Sequence, residues 1–118
     1  MKVTAVKTPI FKEKDNLINF INNQIHSLEE GDIVVVTSKI VALSQGRVGE
    51  IKDKEKLIKK NSQITIKTPW VPLTLVNNEW CINAGIDESN AKNKIILLPK
   101  NPFGVAEQIQ KKLKKRFS

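Results

Sequence analysis

Residues 33–37 read Ile-Val-Val-Val-Thr, a succession of β-branched side chains. Branching at Cβ restricts χ1 and favours extended backbone. In a strand, Ile33 and Val35 would point to one face and Val34 and Val36 to the other. Both faces are apolar, so the run predicts a central, fully buried strand around which the chain must build a sheet.

That strand runs directly into "SKIVALSQGR", residues 38–47. Ser38 is a good N-cap and Gly46 a good C-terminal stop for a helix of about two turns. A buried strand followed by a capped helix can aim backbone N–H groups at an anion. Lys39 would stand in the first turn, where its charge opposes the helix dipole unless it meets a phosphate. Any strand-to-helix junction shares this outline, so the pattern by itself leaves the anion site and a plain junction open.

The remaining elements follow from periodicity. Residues 2–7 alternate as a one-faced strand stopped by Pro9. Asp15 is placed to cap a helix through Leu28, with Leu17, Ile18, Ile21, Ile25 and Leu28 on one stripe and His26 one step off it. Residues 48–51 suggest a short strand, 54–60 a polar helical turn or two, and 63–67 an alternating strand. Pro69 and Pro72 bracket Trp70 in an irregular crossing. Residues 73–76 and 79–82 flank Asn77-Asn78, a two-residue hairpin signal. Trp70 and Trp80 are expected in the core, and Cys81 is expected as a small buried hydrophobe. Residues 94–98 form another strand. Asn101 then caps a helix with Pro102 at its first position and Val105, Ile109, Leu113 and Phe117 on the buried stripe. The expected class is α+β: a mixed, mostly antiparallel sheet, two main helices, and one short helix after a buried strand.

Composition narrows the function classes. The chain has 118 residues, 40% hydrophobic and 27% charged, the profile of one globular domain. No apolar run approaches the roughly 20 residues of a membrane span. The start of the chain is too short and mixed for a signal peptide, so a cytoplasmic location is expected. One His and one Cys make a structural zinc site a poor fit. The net charge is +8, and Lys111, Lys112, Lys114, Lys115 and Arg116 supply five of it. That run reads as the solvated end of a terminal helix, with weak, salt-sensitive nucleic-acid binding as its other use.

"NAGIDESNA", residues 83–91, places a Gly, acids and short polar residues where an apolar strand ends. Gly85 can take φ > 0, and Asp87, Ser89 and Asn90 can bond their own backbone, which explains a turn. Binding residues also gather on loops at strand ends, so a ligand site stays open beside the turn.

Three stretches together, "GDIVVVTSKIVALSQGR" (31–47), "NAGIDESNA" (83–91) and "IILLPKNPFGVAEQIQKKL" (95–113), resemble the N-terminal half of the deazaflavin-coenzyme F(420) gamma-glutamyl ligases. The resemblance covers nearly the whole chain, with 52–75 shortened. It implies GTP- and divalent-metal-dependent (Mg or Mn) amide ligation of L-glutamate to a deazaflavin coenzyme acceptor. It also implies nucleotide contacts at Thr8, Pro9, Ile10, Ser38, Lys39 and Asn90, and a metal-binding carboxylate at Asp87. Leu43 stands where the family often has Lys. The family continues past the last helix into a strand with a second metal-binding acid, which this sequence lacks. A fragment, half of a split enzyme and a reduced paralogue all fit that. The partner expected is a second copy or the missing C-terminal half. The alternative function is a non-catalytic nucleotide- or RNA-binding or assembly domain.

Overall fold

The computed structural model of the chain describes residues 1–88 and 93–117. The class is α+β, as expected: four α-helices and two small antiparallel sheets among the described residues. The chain divides into two compact units, residues 1–46 with 99–118 and residues 47–98.

The first unit is helical. Helix α1 (Leu17–Gln24), α2 (Ser38–Ser44) and α4 (Pro102–Phe117) surround Phe11, Leu17, Ile21, Val41, Ile109 and Leu113. Phe11 meets Phe20 edge-on at 5.0 Å between ring centroids, a favoured aromatic geometry. The α4 stripe matches its sequence spacing: Ile109 and Leu113 are buried, with Val105 and Phe117 packed against the same cluster. Asn101 caps that helix, its Oδ1 accepting from the Gly104 N–H at 3.3 Å. Gly46 follows α2 with φ +66°, the left-handed stop its position predicted.

Three expectations for this unit are corrected. Helix α1 is shorter than residues 15–28. Asp15 spends its carboxylate on the Lys12 N–H (2.9 Å), and Asn16 caps instead by accepting from the Asn19 N–H (2.9 Å). At the other end the Arg116 guanidinium binds the Asn22 carbonyl and its side-chain Oδ1. A continuing helix would need that carbonyl for residue 26. His26 is exposed, as expected. Residues 2–7 form no strand, and residues 1–10 are all exposed. Residues 33–37 form no strand either. Val34 and Val36 pack against the core, while Ile33 and Val35 are 86% and 89% exposed. Both corrections have one cause. Alternation prepares a strand, but a ladder needs a neighbour, and no described segment supplies one.

The second unit holds the strands. β1 (Val48–Glu50) pairs antiparallel with β5 (Lys94–Ile96), Glu50 opposite Lys94. Helix α3 (Lys54–Lys60) follows a 3₁₀ turn (Ile51–Asp53) and buries Ile58. β2 (Ile64–Ile66), β3 (Leu73–Val76) and β4 (Glu79–Ile82) make the second sheet in that order. Asn77 and Asn78 have φ +51° and +63°, both left-handed, as a two-residue type I′ hairpin requires. The expected strand 94–98 ends at Ile96, although Leu97 is also buried. Neither tryptophan is in the core. Trp70 is 87% exposed in a turn where the Thr68 hydroxyl accepts from the N–H groups of Trp70 and Val71. Trp80 is 54% exposed on β4, whose sheet is covered on one face. Cys81 is half-buried.

Each unit is closed by one side chain where the chain crosses between them. In the first, the Gln45 amide donates to the Lys100 carbonyl and accepts from the Lys100 N–H, both at 2.8 Å. In the second, Arg47 Nε donates to the Leu98 carbonyl and its guanidinium to Asn61 Oδ1, both at 3.0 Å.

Candidate functional site

The loop after β4 is shaped by one buried hydroxyl. Thr74, opposite Cys81 in the ladder, is fully buried. Its Oγ1 donates to the Cys81 carbonyl at 2.7 Å and accepts from the Ala84 N–H at 2.8 Å. The Asn83 N–H donates to the Pro72 carbonyl at 2.9 Å. These bonds hold a 3₁₀ turn, Asn83–Gly85, in which φ is +53°, +53° and +71° in succession. A left-handed alanine is unfavourable, so the turn persists because the surrounding bonds over-determine it. Gly85 is required there twice: its φ is left-handed, and a Cβ would lie 2.5 Å from Leu98 Cδ1.

The turn delivers Asp87 to β5. The Asp87 N–H donates to the Ile96 carbonyl at 2.9 Å, and the Ile96 N–H donates to the Asp87 carbonyl at 2.7 Å. The Asp87 residue is half-buried, and its neighbour Glu88 pairs with Lys54 at 3.3 Å. The backbone of the acid is thus fixed on both sides, by the latched turn and by a buried strand. Both readings of the loop survive: it is a structured turn, and the turn positions an acid.

The other sequence-predicted residues lie in the first unit. Thr8, Pro9 and Ile10 are exposed and lie outside any helix or strand, ending at the buried Phe11. Ser38 is the first residue of α2 rather than its cap; Thr37 takes that place, its Oγ1 accepting from the Lys39 N–H at 3.4 Å. Ser38 is exposed and Lys39 half-buried, and α2 is anchored by Val41 and Ala42. Asn90 lies outside the described residues. Asp87 belongs to the second unit and the other five described positions to the first.

A divalent cation of the Mg²⁺ type needs about six oxygen ligands. Among the described residues no three His, Cys, Asp or Glu side chains converge. Asp87 can offer one carboxylate, and the described residues alone do not complete a metal centre.

Sequence reasoning missed Thr74, Gln45 and Arg47. The signal for Thr74 was a lone hydroxyl between two leucines in a strand, where a buried polar atom must find partners. Gln45 and Arg47 carried no such signal, because their partners lie 55 and 51 residues away.

A family model described as F420-0:Gamma-glutamyl ligase matches the chain in two overlapping pieces, residues 5–72 and 54–118. The coenzyme F420:L-glutamate ligase of Methanosarcina mazei is 31% identical over 139 residues, covering 98% of this chain and 54% of its own length. The alignment is longer than this chain, so the relative carries residues that this chain lacks. The corresponding ligase of Methanocaldococcus jannaschii is 29% identical, covering 98% of this chain and 55% of its own length. That of Archaeoglobus fulgidus is 24% identical, covering 89% and 50%. The chain spans about half the length of the curated relatives it matches. It belongs to the F420-0:gamma-glutamyl ligase family.

Proposed function

We propose that this chain is the nucleotide-proximal half of a GTP-dependent ligase that joins L-glutamate to a deazaflavin coenzyme acceptor through an amide bond. The family match over residues 5–118 carries the reading, and the relatives, coenzyme F420:L-glutamate ligases, supply glutamate and the coenzyme. GTP comes from the resemblance of the three motifs. In the family chemistry, phosphoryl transfer to a carboxylate precedes attack by the amine, so positioning and electrostatics supply most of the rate.

Residues of this chain take roles that suit their places. Lys39 supplies a fixed positive charge for a phosphate beside Ser38, whose hydroxyl can donate to it. The exposed segment 8–10 gives backbone and apolar contact for the nucleotide. Asp87, on its fixed backbone, is proposed as one oxygen ligand of Mg²⁺ or Mn²⁺, the others coming from substrate phosphates and from groups this chain does not supply.

Calorimetric titration with GTP, with and without Mn²⁺, tests the reading. Wild type should bind GTP. Lys39→Ala should weaken binding by about tenfold, or 1.4 kcal/mol, under both conditions. Asp87→Asn keeps the size and turn-forming bonds and removes the charge, so it should weaken only the Mn²⁺-linked part by a similar factor. A wild type that binds no GTP refutes the nucleotide assignment. Equal Mn²⁺-linked binding by Asp87→Asn refutes the metal role.

A further inference from the structure

The first unit carries a segment with the composition of a strand, apolar on both faces and covered on one. Val34 and Val36 sit on the core, while Ile33 and Val35 are almost fully exposed. Among the described residues, the backbone of 33–36 makes no hydrogen bond to another backbone group. A cleft of about 920 Å³ runs beside it, floored by Val105, Ile109 and Leu113 of α4. An extended segment with open N–H and C=O groups and an apolar face is a template for strand addition.

Two observations choose the occupant. The relatives are about twice as long as the region matched here, so the family architecture contains a further half. Residues 33–37 have the apolar, two-faced composition of a central strand, which a partner on one face leaves unexplained. We propose that residues 33–36 and the adjoining cleft are the docking surface for the polypeptide corresponding to the second half of the family ligases, which adds antiparallel strand to this segment and covers Ile33 and Val35. This rests on the family reading above and adds where its halves join.

Hydrogen exchange tests it, with the second half of the Methanosarcina mazei ligase as the probe. The probe is supplied both as a separate polypeptide and fused after this chain. Amides of residues 33–36 should exchange at least about tenfold more slowly in the separate mixture and in the fusion than in the chain alone. The double variant Ile33→Lys/Val35→Lys alters only exposed side chains, so the free chain should melt as wild type does. It should lose association and protection by at least about tenfold. Amides as open in the fusion as in the chain alone overturn the proposal. So does protection in the isolated chain that accompanies dimer formation by light scattering, which would assign the surface to a second copy. GTP titration of the same fusion reports separately. Protection without GTP binding leaves the docking surface and removes the nucleotide reading; GTP binding without protection does the reverse.

Discussion

Thr74 shows how one hydroxyl can set a loop. It satisfies an acceptor on Cys81 and a donor on Ala84 at once, from a fully buried position. Thr74→Val has nearly the same shape, leaves the buried Ala84 N–H without its partner and removes the side-chain bond to the Cys81 carbonyl. It should cost about 2–3 kcal/mol, read as a lowered urea midpoint with unchanged slope. Thr74→Ser keeps the hydroxyl and should recover at least about half of that loss. If Val and Ser substitutions cost the same, the hydroxyl is not what holds the turn. Asp87 depends on this indirectly, because the turn determines where β5 receives it.

At the scale of elements, the β1–β5 ribbon joins Glu50 to Lys94 across the ladder at 2.6 Å. The hydrogen bond and charge of Lys94 hold the Glu50 carboxyl below its ordinary value of 4.5. A folded-state pKa below the unfolded one gives stability that is present above the unfolded value and lost as pH falls through the folded one. Glu50→Gln should therefore lower the melting temperature slightly at pH 7 and leave it unchanged well below about pH 4.5, which flattens the acid limb. An unchanged acid limb would show that the pair contributes nothing measurable. Helix α4 ends in an exposed basic run, with Lys111 turned to Glu107 at 3.3 Å and Arg116 engaged on Asn22. Part of the charge is thus structural. RNA binding by this helix should be weak and gone by about 0.2 M salt. Binding that persists there, and is lost on charge reversal at Lys112 and Lys115, would favour a nucleic-acid role over the ligase reading.

For the whole molecule, exposed apolar surface stands beside a chain that spans about half the length of its relatives. Val3, Val6, Ile10, Ile33 and Val35 are all exposed in segments without a ladder. Asp87 stands outside any three-ligand group among the described residues. On the proposed reading, this chain alone does not complete the ligase site. Incubated alone with GTP, Mn²⁺, glutamate and the coenzyme precursor, the chain should yield no glutamylated product by mass spectrometry. Sustained turnover would show that this half suffices.

Local signals in the sequence determined what local atoms can satisfy. Asn77-Asn78 specified the hairpin because both residues tolerate the left-handed backbone of its turn. Asn101-Pro102 and the four-residue spacing from Val105 to Phe117 specified α4, since cap, first turn and stripe all lie within the helix. The three motifs identified the family, and Asp87 was legible as an acid on a turn. Tertiary structure alone decided matters that depend on a distant segment. Helix α1 stops at Gln24, where Arg116 from the far end of the chain takes the Asn22 carbonyl. The loop of Asp87 takes its shape from Thr74, one strand away. Trp70 lies outside because the turn built on Thr68 turns it there. Residues 33–37 carry the composition of a buried strand, but burial and pairing belong to two segments at once, and one strand's sequence describes only its own side.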